Sequence, residues 1–150
     1  KMQGKYFFIP APLYADTPQD KAMWVQHQVY QRVIDRALQA NVAFVGIGEV
    51  MPGCPLNAEG FITDAQVEAL NARGVVGEML GHFFNQQGER VWGETDELLT
   101  SVLLESQTER KIIGFSGSAR KYPAIRAALL GGWVSGLVTD EDTALKLVRD

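Results

Sequence analysis

The order of apolar and polar positions divides the chain into strands and helices that follow one another. Residues 6–9 form an aromatic and β-branched run that stops at Pro10, which predicts a buried strand entering a rigid loop. Apolar residues recur at helical spacing over residues 18–40, which predicts one long amphipathic helix. The continuous apolar run 42–47 ends in glycine and predicts a strand covered on both faces.

The same alternation continues to the end of the chain. Residues 52–60 have loop composition, and Thr63 with Gln66 three positions later predicts a capped helix that reaches about residue 73. Residues 75–84 and 90–92 predict two strands of a hairpin, with the turn at 85–88. The remaining elements predicted are a helix at 96–106, a strand at 111–115, a helix at 123–130, a strand at 134–139 and a helix at 140–148 capped at Thr139 or Asp140.

Strands that alternate with helices imply βαβ units, so we predict an α/β protein with a mostly parallel sheet and helices on both faces. A length of 150 residues with 46% apolar residues is enough for one hydrophobic core. The chain starts inside a strand-like run, without a preceding helix or capping residue. We therefore expect it to be the back part of a larger domain.

Composition narrows the function classes. The net charge of −4 gives no reason to expect nucleic-acid binding by this segment. A lone Cys54 cannot form an internal disulfide, and no Cys and His pair has zinc-site spacing, so a reducing cytoplasm and no metal or cofactor are expected. No stretch approaches the ~20 apolar residues of a membrane helix, so we expect a soluble protein without a membrane partner.

Ligands of open α/β sheets bind beyond the carboxyl ends of the strands, so the loops that follow the predicted strands are the candidate sites. Four such loops are residues 10–12, 46–49, 77–81 and 116–121. In the last loop, Arg120 and Lys121 follow two serines and a glycine at a strand-to-helix junction, where backbone amides and cations favour an anion. The alternative is two solvated basic side chains.

Glu78 is the second candidate, because it lies inside an apolar, glycine-bounded run. A buried carboxylate needs a partner. Three environments remain open for it: hydrogen bonds from sugar hydroxyls, pairing with Lys121 across the strand ends, or solvent at an edge strand. No Ser or Cys lies in a nucleophile-elbow pattern, so a catalytic triad has no support.

Five segments of the chain, taken together in this order, resemble one family. They are YFFIPAPL at 6–13, VGIG at 45–48, GVVGEMLGHFFNQQG at 74–88, KYPAIRAAL at 121–129 and LVTDEDTA at 137–144. Their order and spacing are similar to those of the SorC/DeoR-type sugar-binding domain of bacterial transcriptional regulators. The likeness runs from about residue 5 to the end of the chain.

The resemblance implies a Rossmann-like fold, similar to sugar-phosphate isomerases, glucosamine-phosphate deaminases and CoA transferases. It implies that the domain senses a sugar phosphate and does not convert it. Glu78 would receive sugar hydroxyls, Leu80 would form an apolar pocket wall, and Lys121 would contact the phosphate or a sugar oxygen. The other ligand-binding candidates are the loop residues Gly117, Ser118, Gly48 and Pro12.

Two departures from the family pattern bear on the site. Residues 115–118 are Phe-Ser-Gly-Ser where the family commonly has Ala-Gly-Gly. We expect the two added hydroxyls to alter which effector the domain prefers. The family's helix-turn-helix and its Gly/Thr-rich phosphate loop have no counterpart here, so we expect this chain to hold part of the site. The resemblance further implies operator DNA as a partner, through a missing N-terminal domain, and a homodimer or homotetramer. An isomerase or deaminase of sugar phosphates is the alternative.

Overall fold

The computed structural model describes residues 4–103, 105 and 109–150, which form a mixed α/β domain. The elements in chain order are α1 (Pro18–Gln26), α2 (Gln28–Leu38), β1 (Val42–Gly46), β2 (Gly48–Glu49), α3 (Pro55–Ala58), α4 (Asp64–Ala72), β3 (Val75–Met79), β4 (His82–Asn85), α5 (Glu94–Leu98), β5 (Lys111–Phe115), α6 (Tyr122–Leu130), β6 (Gly136–Val138) and α7 (Glu141–Arg149). None of the helices in these ranges has the length and apolar character needed to cross a bilayer.

A parallel sheet of three strands, in the order β1-β5-β6, confirms the α/β class. The consecutive elements β5, α6 and β6 form a βαβ unit in this sheet, as the alternation predicts. One face of the sheet is packed, because Val45, Ile112, Ile125 and Trp133 are buried in a common core. This core fixes α6, and with it the basic loop that precedes the helix.

The other face of the parallel sheet exposes apolar side chains in the described part of the chain. Phe44 is 70% exposed and Phe115 47% exposed, and their rings contact each other edge to face at 5.8 Å. Val42 and Val138 are exposed on the neighbouring positions of this face. The prediction of a strand covered on both faces is therefore met on one face only, because no described element packs over Phe44.

A second sheet, in the order β2-β3-β4, is antiparallel. The predicted single strand over 75–84 is wrong, because the chain reverses at Leu80 and Gly81, whose φ angles of 51° and 82° are those of a tight hairpin turn. The predicted turn at 85–88 is also present: the Gly88 amide donates to the Asn85 carbonyl at 2.9 Å. The returning segment is reduced to an isolated bridge between Phe84 and Arg90.

Two predictions for the first 40 residues are corrected by the structure. Residues 6–9 form no strand, and Tyr6 and Phe8 are 79% and 77% exposed, because this segment has no paired strand. The predicted helix over 18–40 is two helices, because His27 adopts an extended ψ of 127° between them. The ring of His27 accepts a hydrogen bond from the Val29 amide at 3.2 Å and so caps α2.

The helix predicted at 96–106 is shorter and starts earlier than expected. It ends at Leu98, because Leu99 leaves the helix in an extended conformation and forms an antiparallel bridge with Tyr14. Residues 104 and 106–108 of the predicted helix lie outside the described residues. The loop predicted at 52–60 holds the one-turn helix α3.

Helix caps are predicted correctly at two places. Thr63 and Gln66 form the expected capping box of α4, with the Thr63 amide donating to Gln66 Oε1 at 2.8 Å. Asp140 caps α7 by accepting from the Thr143 amide at 2.8 Å. Because α7 follows β6 directly, this cap also fixes the Asp140 side chain, which faces the loop 116–121.

His82 in β4 predicts a measurable pH dependence of stability. Its ring is buried between the Val102 carbonyl, 3.0 Å from Nε2, and the Arg90 guanidinium, 2.8 Å from Nδ1. Burial lowers the His82 pKa below its usual 6.5, and the nearby charges of Arg90 and Lys21 lower it further, against the Val102 hydrogen bond and Asp96, which raise it.

Below pH 6.5 the unfolded chain therefore binds a proton that the folded chain refuses, so stability falls as the pH is lowered, by up to about 1.4 kcal/mol per pH unit. Urea unfolding at several pH values measures this slope. The slope is expected to decrease by this amount in His82→Gln. An identical slope in the variant would show that other groups cause the pH dependence.

Candidate functional site

Glu78 lies on β3 directly opposite Gly48 on β2. Its half-buried carboxylate accepts a hydrogen bond from the Gly81 amide at 3.0 Å, so the hairpin turn at Leu80 and Gly81 holds it in place. A Cβ atom at position 48 would overlap the Glu78 carboxylate. Gly48 therefore serves the site by leaving room for the Glu78 side chain.

The environment of Glu78 raises the pKa of its carboxyl group above the usual value. Burial raises the pKa of this carboxyl group, and the negative charge of Glu49 raises it further. The Gly81 hydrogen bond and the positive charge of Lys121 act in the opposite direction. The predicted pairing of Glu78 with Lys121 is not formed as an ion pair among the described residues, because Lys121 Nζ lies against Glu49 instead.

Lys121 ends the loop between β5 and α6, and its neighbour Arg120 lies beside it. Both contact Glu49: the Arg120 guanidinium pairs with Oε1, and Lys121 Nζ lies 3.8 Å from Oε2. The Glu49 side chain is only 4% exposed. The site therefore contains two carboxylates and two cations. Arg120 is predicted as part of the basic loop, whereas no role is predicted for Glu49.

Glu49 was reachable from the sequence, since it ends the glycine-bounded loop 46–49 that follows β1. Tyr14 was not, because nothing in the sequence relates it to the hairpin. Its hydroxyl donates to the Gly81 carbonyl at 3.3 Å. Burial, the charge of Glu78 and the charge of Asp96 all raise the Tyr14 pKa, so this phenol keeps the proton that it donates to the Gly81 carbonyl.

Pro12 and Leu80 are held by two consecutive residues, Thr100 and Ser101. The Pro12 carbonyl accepts a hydrogen bond from the Thr100 hydroxyl, so Pro12 is held two residues before Tyr14. Leu80 occupies the hairpin turn, where its carbonyl accepts from the Ser101 hydroxyl at 2.6 Å and its side chain is 39% exposed. The exposed side chain is compatible with a pocket wall, and the effector contacts of both residues stay predictions.

Gly117 and Ser118 contact an anion of the chain itself. The Ser118 amide donates to Asp140 Oδ2 at 2.7 Å, and Ser118 has a φ of 100°. A Cβ atom on Gly117 would overlap the same carboxylate. The loop thus binds a carboxylate through a backbone amide, as its composition predicts, but that amide is engaged by Asp140 in this structure. An effector contact at Ser118 stays a prediction.

The chemistry of this region is that of a polar binding site. An open cleft of about 450 Å³ lies beside Glu49 and Arg120, while Glu78 and Lys121 are not among the residues that line it. Carboxylates accept hydrogen bonds from hydroxyl groups, and adjacent cations attract an anionic group. Within the described ranges, no three His, Cys, Asp or Glu side chains are grouped so that they could hold a metal ion.

Comparison with known proteins identifies relatives along almost the whole chain. The family described as "Putative sugar-binding domain" matches residues 1–149. The erythritol catabolism regulatory protein EryD of Brucella abortus is 36% identical over 146 residues, covering 95% of this chain and 45% of that protein. The transcriptional regulator LsrR of an Enterobacter species is 36% identical over 140 residues, covering 91% of this chain and 43% of that protein.

Solved structures show the same fold. The full-length sorbitol operon regulator SorC from Klebsiella pneumoniae superposes with a TM-score of 0.83 at 29% identity, covering 91% of this chain and 44% of that one. A DeoR family transcriptional regulator from Listeria monocytogenes gives a TM-score of 0.87 at 20% identity, covering 93% of this chain and 57% of that one. At this identity the likeness is one of fold. The chain spans less than half the length of the EryD and LsrR proteins that it matches.

Proposed function

The chain belongs to the family of sugar-binding domains of SorC/DeoR-type transcriptional regulators, and from this we propose that it binds a phosphorylated sugar or related metabolite as the effector of such a regulator. The observation that carries the proposal is that β2 contacts both predicted residues. Its Gly48 pairs with Glu78 in the sheet, and the next residue, Glu49, has its Oε2 3.8 Å from Lys121 Nζ. Glu78 accepts hydrogen bonds from the hydroxyl groups of the ligand, and Lys121 attracts its phosphate.

The proposal extends to the rest of the protein. In the intact regulator, a DNA-binding domain outside these 150 residues contacts the operator, the protein is a cytoplasmic homodimer or homotetramer, and this chain supplies part of the sensing domain. The exposed apolar face of the parallel sheet, at Phe44 and Phe115, supports the proposal that this chain is part of a larger sensing domain, since parallel sheets are normally buried on both faces. The regulators EryD and LsrR are about twice as long as this chain, which supports the proposal of a further, DNA-binding domain.

A ligand screen on the intact protein tests this function. Thermal unfolding is measured with phosphorylated and free sugars and polyols, including erythritol and its phosphates because one relative is named for erythritol catabolism. A ligand at 100 times its dissociation constant adds about 2.7 kcal/mol of stability. We expect a sugar phosphate or polyol phosphate to stabilise the protein more than its dephosphorylated form does. Stabilisation by none of them would contradict the proposal.

The second candidate is an enzyme, with Glu78 and Lys121 as an acid and base pair acting on a sugar phosphate. The relatives EryD and LsrR are named as regulators, which favours sensing. We therefore predict no turnover: the NMR spectrum of the stabilising ligand stays unchanged during a long incubation with the protein. Conversion that is lost in Glu78→Gln would favour the isomerase or deaminase instead.

A further inference from the structure

We propose that Glu49 tunes the anion affinity of this site, by competing with the ligand's phosphate for Lys121, and that Arg120 limits this competition by pairing with Glu49. The inference rests on the proposed function, since it concerns the same site. Glu49 acts on the ligand through Lys121, and Arg120 acts through Glu49, so both are positioning residues. The sequence predicts no role for Glu49, and it predicts Arg120 as a cation that favours the anion itself, not as a partner of Glu49.

Glu49 needs a cation because its carboxylate is almost fully buried. The side chain is 4% exposed, and neither of its oxygens accepts a hydrogen bond of regular geometry from the described residues. Burying an ionised carboxylate without hydrogen bonds is costly unless positive charges lie against it. Arg120 and Lys121 are the two cations that contact it.

The two cations are not equivalent. The Arg120 guanidinium makes the closer contact with Glu49, while Lys121 Nζ lies 3.8 Å from the carboxylate. Solvent reaches both side chains, since Arg120 is 55% exposed and Lys121 29%. The distances therefore distinguish them: Arg120 is the main partner of Glu49, and Lys121, whose charge is less closely paired, is left to attract an incoming anion.

Charge balance gives the direction of the effect. Glu49 and Glu78 face Arg120 and Lys121, so a phosphate that approaches Lys121 also meets a buried negative charge beside it. Because the Glu49 carboxylate is almost fully buried, this repulsion is screened less than one between exposed charges. Neutralising Glu49 should therefore raise phosphate affinity. Removing Arg120 should lower it, because Lys121 is then drawn towards Glu49.

The experiment uses the intact protein and inorganic phosphate as the probe, with binding measured by calorimetry. We compare the wild type, Glu49→Gln, Arg120→Met and the double variant, and Lys121→Met identifies the binding that belongs to this site. Glu49→Gln is expected to bind phosphate about tenfold more tightly, and Arg120→Met several-fold more weakly. In the Glu49→Gln background, Arg120→Met is expected to change affinity less than twofold.

The outcomes separate this inference from the function itself. If Lys121→Met leaves phosphate binding unchanged, the anion site and the proposed function are contradicted. If Lys121→Met abolishes binding but Glu49→Gln does not increase it, only the role of Glu49 is wrong. An equal loss from Arg120→Met in both backgrounds would show that Arg120 binds the anion directly. Should Glu49→Gln fail to fold, Arg120→Met decides alone, since unchanged or tighter binding overturns the inference.

Discussion

Replacing Lys121 with alanine is expected to weaken binding of a sugar phosphate by about ten- to a hundredfold in the intact protein, with a smaller loss for the free sugar. A charged hydrogen bond contributes about 1.5 to 3 kcal/mol, and a tenfold change in affinity corresponds to about 1.4 kcal/mol. Glu78→Ala is expected to weaken both ligands by a similar factor, because the hydroxyl groups that it contacts are present in both. Calorimetry with the paired ligands measures these four values.

Two exposed residues provide matched controls. Arg126 lies on α6 and Glu68 on α4, and replacing either with alanine removes one charge outside the site. Both variants should bind within about twofold of the wild type, since exposed charges are well screened at physiological salt. Equal losses for Lys121→Ala with and without the phosphate would show that the anion binds elsewhere.

Replacing Gly88 with alanine is expected to lower the free energy of unfolding by about 2 to 5 kcal/mol. Gly88 has a φ of 78°, a conformation that costs an L-residue about 1 to 2 kcal/mol. An added Cβ atom would also overlap the backbone of Ala127 and Gly131 at the end of α6, and overpacking typically costs about 1 to 3 kcal/mol. The Trp133 indole, which donates to the Gly88 carbonyl at 2.7 Å, is displaced by any shift of this turn.

Gly60 separates the two causes of this loss. Its φ of 79° is nearly the same, but apart from its two chain neighbours no described residue has an atom within 4 Å of the position that a Cβ atom would take. Gly60→Ala should therefore show only the conformational cost, about 1 to 2 kcal/mol. Denaturant unfolding of both variants gives the comparison. A loss no larger for Gly88→Ala than for Gly60→Ala would contradict the close backbone packing between the turn and α6.

Local chemistry made part of this fold predictable. The capping box at Thr63 and the cap at Asp140 are predicted correctly, because a cap depends on a few neighbouring residues. The break at His27 was not, since the helical spacing of apolar residues continues across it. The hairpin turn at Leu80 was also missed, because leucine seldom adopts a positive φ and sits there inside an apolar run.

The site was predictable only as separate loops. Family resemblance and local composition singled out Glu78 and Lys121, and the structure connects them through β2: Glu78 pairs with Gly48, and Lys121 contacts Glu49. Glu49 and Tyr14 join them through pairing of β2 with β3 and through the segment that bridges to Leu99, which are long-range contacts. Such contacts leave no periodic pattern in the sequence. The candidate loop 46–49 contains Glu49, but its contact with Lys121 is visible only in the folded chain, as is the position of Tyr14 beside the hairpin.

A structure of the intact protein with its stabilising sugar phosphate tests the central claim most directly. The account predicts that the ligand lies between Glu78 and Lys121, with at least one hydroxyl donating to the Glu78 carboxylate and the phosphate within hydrogen-bond distance of Lys121 Nζ. It further predicts that the bond from the Gly81 amide to Glu78 persists in the complex. A ligand bound away from both Glu78 and Lys121 would contradict the account.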